Sequence, residues 1–323
     1  MKHFAIAAAV LIACSAPAWA DPPSCQLKLA NTVPLTMEEN GLRALVPVTI
    51  NGSSETMLLD TGGVATQLSP DAIKKLGLVM QGSNIKLLTM YGGAAQGLVT
   101  VNTLVLGHLK DSNTDLLVSP FNFGGDPPVA GILAVDYMGR YDLEFDFANA
   151  RLNYLSPDHC PGKVVYWPAA AGTILPMKLI DNHIRINVTL DGHEFRAIID
   201  TGAPNTSLSA AAAKRVFDVT EDTPDVRKLH GEKGEMEFQK VFDSLSLGDI
   251  AVGHPHINIM PDLVGKHDPN NDYVTGSRVH RVDDLDGEPP MIIGMNILTK
   301  LRFVVAFSED KIYLTPATPP AAH

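Results

Sequence analysis

Two aspartates stand in the same local pattern, one in each half of the chain. Asp60-Thr61-Gly62 follows Leu58-Leu59, and Asp200-Thr201-Gly202 follows Ile198-Ile199, 140 residues later. An apolar run that ends in an acid, a small hydroxyl residue and a glycine is typical of a strand that leads a carboxylate into a tight turn. Each half of the chain therefore contributes one carboxylate.

The chemistry open to these acids depends on whether they meet. Two carboxylates about 3 Å apart in a partly dry cleft cannot both ionise, so such a pair holds one proton between them. The ionised member can take a proton from a water molecule that attacks an amide carbonyl, while the protonated member donates to the carbonyl oxygen. The pattern thus predicts peptide hydrolysis without a metal, a cofactor or a covalent intermediate.

The residues before each aspartate repeat as well. Val48-Thr49-Ile50-Asn51-Gly52 and Val188-Thr189-Leu190-Asp191-Gly192 stand at the same distance before the two acids. Apolar runs joined by Asn-Gly or Asp-Gly predict β-hairpins, here ending at the aspartates. A duplicated unit buries its repeat interface most simply by pairing about an approximate twofold axis. We therefore expect two lobes whose carboxylates face each other.

The bulk composition suits a mostly β chain with two lobes. With 323 residues, 45% of them hydrophobic, the chain is long enough for two packed cores. Strand signals begin at Leu45, after a lead-in, and consist of short Val, Ile, Leu and Thr runs bounded by turn residues. The predicted boundaries are a leader at 1–20, a first lobe at 21–157, a linker at 158–172, a second lobe at 173–316 with an insertion at about 254–289, and a tail at 317–323.

The first twenty residues are typical of a secretory signal. A short basic start precedes an apolar stretch, and Ala18-Trp19-Ala20 forms a small-x-small cleavage site. We expect secretion into a bacterial periplasm. An alternative is a lipoprotein anchored through Cys14, because Leu11-Ile12-Ala13-Cys14 resembles the bacterial lipobox. The sequence after the leader has no stretch of about 18 uncharged apolar residues, so we expect no membrane span.

Cleavage after Ala20 would leave two cysteines, Cys25 and Cys160, on either side of the first lobe. In an oxidising compartment we expect one disulfide between them, which would tie the N-terminal segment to the linker. The alternative is a pair of unpaired thiols.

The charge and the histidines argue against other partners. The formal net charge is −11 and there is no basic run, so we expect no nucleic-acid partner. His254, His256 and His267 could be metal ligands, but no cysteine or clear acidic partner completes a set. The acidic segment 268–272 lacks the glycine of a calcium loop, because Tyr273 stands there. We expect no metal site.

Together these residues resemble the aspartic peptidases of the pepsin and retropepsin type. The resemblance rests on the two Asp-Thr-Gly motifs, on Ile292-Ile293-Gly294-Met295-Asn296 and on the hairpin tip Tyr91-Gly92-Gly93, and it extends from Leu45 to Leu314. It implies a bilobal, pepsin-like acid protease fold made of two retropepsin-like β-barrel lobes related by a pseudo-twofold axis.

The same resemblance implies a role for each motif residue. It makes Asp60 and Asp200 the catalytic dyad, and it makes the following threonines a cross-link between the two loops. The remaining implied site residues are Thr61, Gly62, Thr201 and Gly202 in the active-site loops, and Tyr91 and Gly92 in a flap that closes over substrate. We expect a monomeric, secreted endopeptidase that acts on peptides or proteins. The alternative is a catalytically inactive binding or inhibitor-like protein of the cell envelope.

Two positions depart from the family pattern. Ala134 stands where the second half has Gly294, so the first lobe must accept an extra methyl group behind its loop. Gly63 stands where the pepsin type usually has serine or threonine, which removes a hydroxyl that could tune the acids.

Overall fold

The structure is a computed structural model, and it describes residues 26–82, 97–125, 128–230, 236–261 and 289–317. Several predicted features lie outside these residues: the leader 1–20 with Cys14, the cysteine Cys25, the hairpin tip with Tyr91 and Gly92, and most of the insertion 254–289.

The first half of the described chain consists mainly of short strands. These strands are β1 (Leu29–Pro34), β2 (Thr36–Glu38), β3 (Arg43–Ile50), β4 (Ser53–Leu59), β5 (Gln67–Leu68), β6 (Gly97–Leu106), β7 (Leu109–Val118), β8 (Gly131–Leu133), β9 (Asp142–Asp146) and β10 (Arg151–Leu155). The helices are α1 (Pro70–Lys75), α2 (Val135–Met138) and the 3-10 turns Glu39–Gly41 and Phe147–Asn149. Helix α1 begins after Ser69, whose Oγ accepts a hydrogen bond from the Ala72 N–H at 3.1 Å, as an N-cap does.

The second half repeats this plan with additional strands. They are β11 (Thr173–Pro176), β12 (Lys178–Ile180), β13 (His183–Leu190), β14 (His193–Ile199), β15 (Ser207–Ser209), β16 (Arg227–His230), β17 (Met236–Val241), β18 (Ser244–Leu247), β19 (Ile250–Gly253), β20 (His256–Met260), β21 (Met291–Ile293), β22 (Leu301–Ala306) and β23 (Lys311–Pro316). The helices are α3 (Ala210–Phe217) and α4 (Met295–Leu298).

Most strands of each half form a sheet of their own. In the first lobe the strand order is β2-β3-β4-β8-β5-β7-β6, and β3 also pairs with β6, which curls the sheet onto itself. In the second lobe it is β16-β17-β20-β15-β21-β14-β13-β18-β19, with β12 on β13. The predicted bilobal, mostly β fold is confirmed.

Alternating burial explains how these strands form cores. Along β13 the residues Ile184, Ile186, Val188 and Leu190 are buried, and the residues between them are not. A strand turns successive side chains to opposite faces, so this alternation places one apolar face inward. The hairpin before each aspartate is therefore anchored in the core of its own lobe.

A third sheet joins the lobes, in the order β1-β10-β9-β22-β23-β11. Strand β9 of the first half pairs antiparallel with β22 of the second, and Phe145 lies directly opposite Phe303. Their rings are stacked with centroids 4.7 Å apart and both are fully buried. The sheet therefore fixes how the two lobes sit relative to each other.

The chain between the lobes covers part of this sheet through polar contacts. Asp142 and Glu144 of β9 are buried. His159 Nε2 lies 2.6 Å from Asp142 Oδ2, and the Tyr166 hydroxyl donates to Glu144 Oε2 at 2.6 Å. Arg302 of β22 donates to Glu144 Oε1 through Nε at 2.8 Å. Residues of the predicted linker thus hold the joint between the lobes.

Candidate active site

Both aspartates lie at the ends of inner strands of their lobes. Strand β4 pairs parallel with β8, and the N–H of Asp60 donates to the carbonyl oxygen of Leu133 at 3.0 Å. Strand β14 pairs parallel with β21, and the N–H of Asp200 donates to the carbonyl oxygen of Ile293, also at 3.0 Å. The sheets therefore hold the two loops in the same way.

The threonines of the motifs link the loops across the lobes. The N–H of Thr61 donates to Thr201 Oγ1 at 3.1 Å, and the N–H of Thr201 donates to Thr61 Oγ1 at 3.1 Å. The Thr61 hydroxyl donates to the Ile199 carbonyl, and the Thr201 hydroxyl to the Leu59 carbonyl, both at 2.7 Å. Both threonines are fully buried. These four hydrogen bonds fix the separation of the loops.

The glycines of the motifs let each loop approach the opposite carboxyl group. A Cβ atom on Gly62 would overlap the carboxyl of Asp200, and one on Gly202 would overlap the carboxyl of Asp60. The N–H of Gly62 donates to Asp60 Oδ1 at 3.0 Å, and that of Gly202 donates to Asp200 Oδ1 at 2.8 Å. Any residue larger than glycine would push the two acids apart.

The surroundings of the two carboxyl groups raise the pKa of both acids. Burial, then the negative charge of Asp200 and the hydrogen bond with Asp200, raise the pKa of Asp60 well above its usual range. The backbone N–H groups of Gly62 and Gly63 act in the opposite direction and do not prevail. The pair therefore retains a proton above the usual aspartate range.

The surroundings of Asp200 contain more groups that favour the charged form than those of Asp60 do. Burial raises its pKa, but several partners oppose that rise: the N–H groups of Gly202 and Ala203, the hydrogen bond from Asp60 and the charge of His183. The N–H donors lie 2.8 and 3.1 Å from its Oδ1. More groups oppose the rise in pKa at Asp200 than at Asp60.

A second layer of hydrogen bonds supports each loop. Thr66 Oγ1 accepts from the N–H of Ala134 at 3.1 Å and donates to Asp136 Oδ1 at 2.6 Å. In the second lobe, Thr206 Oγ1 accepts from the N–H of Gly294 at 3.0 Å and donates to Asn296 Oδ1 at 2.8 Å. The two lobes have the same arrangement of hydrogen bonds, but the carboxylate of Asp136 in the first lobe corresponds to the amide of Asn296 in the second.

The two departures from the family pattern have a steric explanation. A Cβ on Gly63 would lie 2.9 Å from Ile132 Cδ1 and 3.2 Å from Asp60 Oδ2, so the position has little room for a side chain. Ala134 is accommodated fully buried. A Cβ on Gly294 would instead lie 2.5 Å from the Asn205 backbone. The first lobe accepts the expected methyl group because its loop leaves space that the second lobe lacks.

Two residues next to the site were not predicted from the sequence. Asn182 Nδ2 donates to the Val64 carbonyl at 2.7 Å, and His183 Nε2 lies 2.9 Å from the Gly62 carbonyl oxygen. Both partners are backbone groups more than 100 residues away in the other half. No local pattern in the sequence signals such contacts.

The sequence profile of the aspartyl protease family matches the chain twice, over residues 46–137 and 186–297. The chain belongs to the aspartyl protease family. This is a family of peptidases, and the two matched segments each contain one Asp-Thr-Gly motif. No curated protein sequence matches the chain significantly.

Solved structures of aspartic proteases are similar to this aspartyl protease at low sequence identity. The crystal structure of an aspartic proteinase from Irpex lacteus shares 13% identity, covers 90% of this chain and 98% of its own, and gives a TM-score of 0.49. A retropepsin-like aspartic protease from Rickettsia conorii shares 17% identity, covers 41% of this chain and 96% of its own, and gives a TM-score of 0.32.

Other predicted features of this aspartyl protease receive no structural test. Tyr91 and Gly92 of the predicted flap lie outside the described residues, and so does Cys25, which leaves its disulfide with Cys160 a prediction. Across the described ranges, no group of three or more His, Cys, Asp or Glu side chains could hold a metal ion. No helix within those ranges is long and apolar enough to cross a membrane.

Proposed function

We propose that the chain is an aspartic endopeptidase in which a water molecule activated between Asp60 and Asp200 hydrolyses the peptide bond. One observation carries the proposal: the carboxyl groups of Asp60 and Asp200, from equivalent loops, each fill the space where a Cβ of the opposite motif glycine would lie, so the two acids meet between the lobes. Titratable pairs whose surroundings separate their pKa values are suited to act as acid and base.

The roles of the two acids follow from their protonation. The Asp200 carboxylate takes a proton from the water molecule as its oxygen attacks the amide carbon. Asp60 donates its proton to the carbonyl oxygen, so the tetrahedral intermediate is uncharged. When the carbon–nitrogen bond breaks, Asp200 returns its proton to the leaving amine and Asp60 recovers its proton from the hydroxyl. Each acid ends the cycle as it began.

The loop contacts supply the geometry that this chemistry needs. Acid–base catalysis depends on reacting groups being held within hydrogen-bond reach, and small displacements cost much of the rate. The four threonine hydrogen bonds between Thr61, Thr201 and the opposite strands hold the loops at one separation. Because both loops belong to one chain, the proposed enzyme is a monomer.

The finer parts of the proposal remain predictions from the sequence. They are secretion through the leader 1–20, with an anchor at Cys14 as the alternative, substrate closure by Tyr91 and Gly92, and the disulfide between Cys25 and Cys160. The cleaved substrates are peptides or proteins, as expected for the family.

The proposal is tested by cleavage of casein and of a mixed peptide library between about pH 3 and pH 8, pH values at which such a dyad can hold one proton. Asp60→Asn and Asp200→Asn are each expected to lower kcat/KM by at least about 10³-fold while the chain stays folded. Asp243→Asn changes an exposed aspartate and is the matched control, with activity unchanged. Inhibition by pepstatin is expected.

Activity that survives in either dyad variant would refute the assignment of that aspartate. A folded wild-type chain that binds peptides without cleaving them would favour the alternative of an inactive binding protein of the cell envelope.

A further inference from the structure

The loop that carries Asp200 is supported from within its own lobe. The N–H of Met295, at the start of α4, donates to the Ala203 carbonyl oxygen at 2.8 Å. The next N–H, that of Asn296, donates to the Pro204 carbonyl oxygen at 3.0 Å. Both carbonyls come directly after the Asp-Thr-Gly motif. The first turn of a helix in the second lobe therefore holds the backbone of this loop.

The corresponding loop of the first lobe lacks this backbone support. Val64 stands where the second lobe has Pro204, 140 residues later. Among the described residues, no backbone N–H at the start of α2 donates to the carbonyl of Val64 or to that of Gly63 before it. Helix α2 meets the loop further along, where the Asp136 side chain accepts the Thr66 N–H at 2.9 Å. The backbone just after the first motif is thus open to partners from outside the lobe.

A turn of the second lobe supplies those partners. Strands β12 and β13 are joined by Asp181 and Asn182, whose φ angles of 52° and 63° make a tight turn. Asn182 Nδ2 donates to the Val64 carbonyl at 2.7 Å. His183 Nε2 lies 2.9 Å from the Gly62 carbonyl oxygen, and because a carbonyl can only accept, Nε2 is the donor. Two side chains of one lobe thus hold two carbonyls in the active-site loop of the other.

The carbonyls held by this turn lie next to the reacting groups. The N–H of Gly62 donates to Asp60 Oδ1 at 3.0 Å, and a Cβ on Gly62 would overlap the Asp200 carboxyl. A shift of Gly62 would therefore move a hydrogen-bond donor of one acid and the surface against which the other acid packs. Catalysis is sensitive on this scale, since a misplacement of about 1 Å can cost roughly 100-fold in rate.

The equivalent turn of the first lobe does not reach across in return. It is longer, because residues 39–42 join β2 to β3. Arg43 stands where the second lobe has His183, but it contacts Glu38 at 3.5 Å and donates to the Phe123 carbonyl at 3.2 Å, both within its own lobe. Among the described contacts, the support of one active-site loop by the opposite turn therefore runs in one direction.

We propose that Asn182 and His183 are positioning residues for the Asp60 loop, which fix two of its carbonyls from the opposite lobe. This inference rests on the proposed function and deepens it. It makes the placement of Asp60 depend on how the lobes dock, whereas the Asp200 loop is held by a helix of its own lobe. Loss of the turn contacts should therefore lower kcat more than it raises KM, because it displaces a reacting group.

The first test measures kcat and KM of Asn182→Gly on a peptide substrate. Glycine tolerates the positive φ and adds no charge, but it has no side-chain donor for the Val64 carbonyl. We expect kcat to fall by at least about 10-fold, with KM changed by less than about threefold. Asn40→Gly is the matched control, because Asn40 is exposed and has a φ of 57° in the equivalent turn of the first lobe. An unchanged kcat in Asn182→Gly, or an equal loss in Asn40→Gly, would overturn the proposal.

The second test uses a conservative change at His183. Glutamine keeps an N–H donor for the Gly62 carbonyl, whereas leucine has none. We expect His183→Leu to lose at least about 10-fold in kcat and His183→Gln to retain most of it. Urea denaturation of both variants identifies conditions in which each is folded. Equal kcat values for the two folded variants would overturn the role of this hydrogen bond.

The third test needs no catalysis. The ¹⁵N chemical shift of a backbone amide responds to hydrogen bonding at the carbonyl before it, so Ala65 reports on Val64 and Asn205 reports on Pro204. In ¹⁵N-labelled protein we expect Asn182→Gly to shift the Ala65 resonance and to leave that of Asn205 unchanged. An unchanged Ala65 resonance, or equal shifts in both loops, would overturn the inference. If wild type cleaves nothing while the spectra are as expected, the proposed function fails and the contact between the lobes stands.

Discussion

The two active-site loops are nearly identical at their threonines and differ in what surrounds them. The bonds from Thr61 and Thr201 have the same lengths in both directions, 3.1 and 2.7 Å. Behind the loops, Ala134 in one lobe corresponds to Gly294 in the other. The symmetric contacts bring two like acids together, and the asymmetric surroundings place different groups around each of them.

The difference between the lobes matters because an acid and a base must differ. Two carboxyl groups in identical surroundings would share a proton evenly, whereas separated pKa values assign one role to each. Burial raises the pKa of both acids, the N–H groups of Gly202 and Ala203 oppose that rise at Asp200, and the negative charge of Asp200 adds to it at Asp60. The comparison predicts which substitutions act equally in both lobes and which do not.

The largest expected effect comes from a methyl group on either motif glycine. Gly62→Ala and Gly202→Ala should each lower kcat/KM by about 100-fold or more, because the new Cβ would displace the opposite carboxyl by a substantial part of an ångström. Steady-state kinetics on a peptide substrate measure this.

Gly82→Ala and Gly253→Ala are the matched controls, since a Cβ at either position meets nothing within 4 Å. If either motif variant kept full activity, the close approach of that loop to the opposite acid would be wrong.

The next largest effect concerns stability and should be equal in the two lobes. Thr61→Val and Thr201→Val each remove a hydroxyl that accepts one N–H and donates to one carbonyl in a fully buried site. Each is expected to lower the free energy of unfolding by about 2–4 kcal/mol, measured by urea denaturation.

Threonine-to-serine variants at the same positions keep the hydroxyl and serve as controls. A difference between the two valine variants larger than about 1 kcal/mol, the typical net value of one hydrogen bond, would break the symmetry of the cross-link.

A smaller effect on stability is expected at the two residues behind the loops, Ala134 in the first lobe and Gly294 in the second. Gly294→Ala should lower the free energy of unfolding by about 1–3 kcal/mol, because its Cβ would lie 2.5 Å from the Asn205 backbone. The reverse change, Ala134→Gly, should cost only about 0.5–1 kcal/mol, the usual cost of glycine in place of alanine. Thermal or urea unfolding of the two variants decides this, and equal costs would contradict the steric difference.

The smallest effect is a change in how stability depends on pH. The pKa of Asp60 is raised in the folded state, so the folded chain binds more protons than the unfolded chain above the usual aspartate pKa of about 3.9. Stability from this group is fully present below that value and is lost as the pH rises toward the folded-state pKa. Asp60→Asn should therefore gain stability relative to wild type between acidic and neutral pH.

Urea denaturation at a series of pH values measures that gain. The exposed Asp243→Asn is the control for the loss of an aspartate far from the loops. A constant difference for Asp60→Asn would mean that Asp60 titrates like an ordinary aspartate.

The sequence predicted the parts of this structure that depend on local pattern. The hairpin before Asp60 was expected from Leu45 to Leu59, and the structure has β3 and β4 between Arg43 and Leu59. Asn-Gly turns and short apolar runs act within a few residues, so their signals can be read directly. The chain duplication then indicated that two carboxylates would meet.

Features that depend on distant partners could not be predicted. The lead-in before Leu45 contains β1, and this strand forms by pairing with β10, where Thr32 lies opposite Asn153. The pairing of β9 with β22 and the contact of His183 with Gly62 likewise join residues of opposite halves. Such partners are chosen by the packing of the whole chain, and no short stretch of sequence specifies them.

The most direct test of the shared proton is infrared spectroscopy of protein labelled with ¹³C at the aspartate carboxyl carbon. At about pH 5, roughly one unit above the usual aspartate pKa, we expect a band from one buried, protonated carboxyl group in wild type. The band should be absent when both Asp60 and Asp200 are changed to asparagine. Spectra in which every aspartate ionises near pH 4, or in which the band persists after both aspartates are changed, would contradict the account.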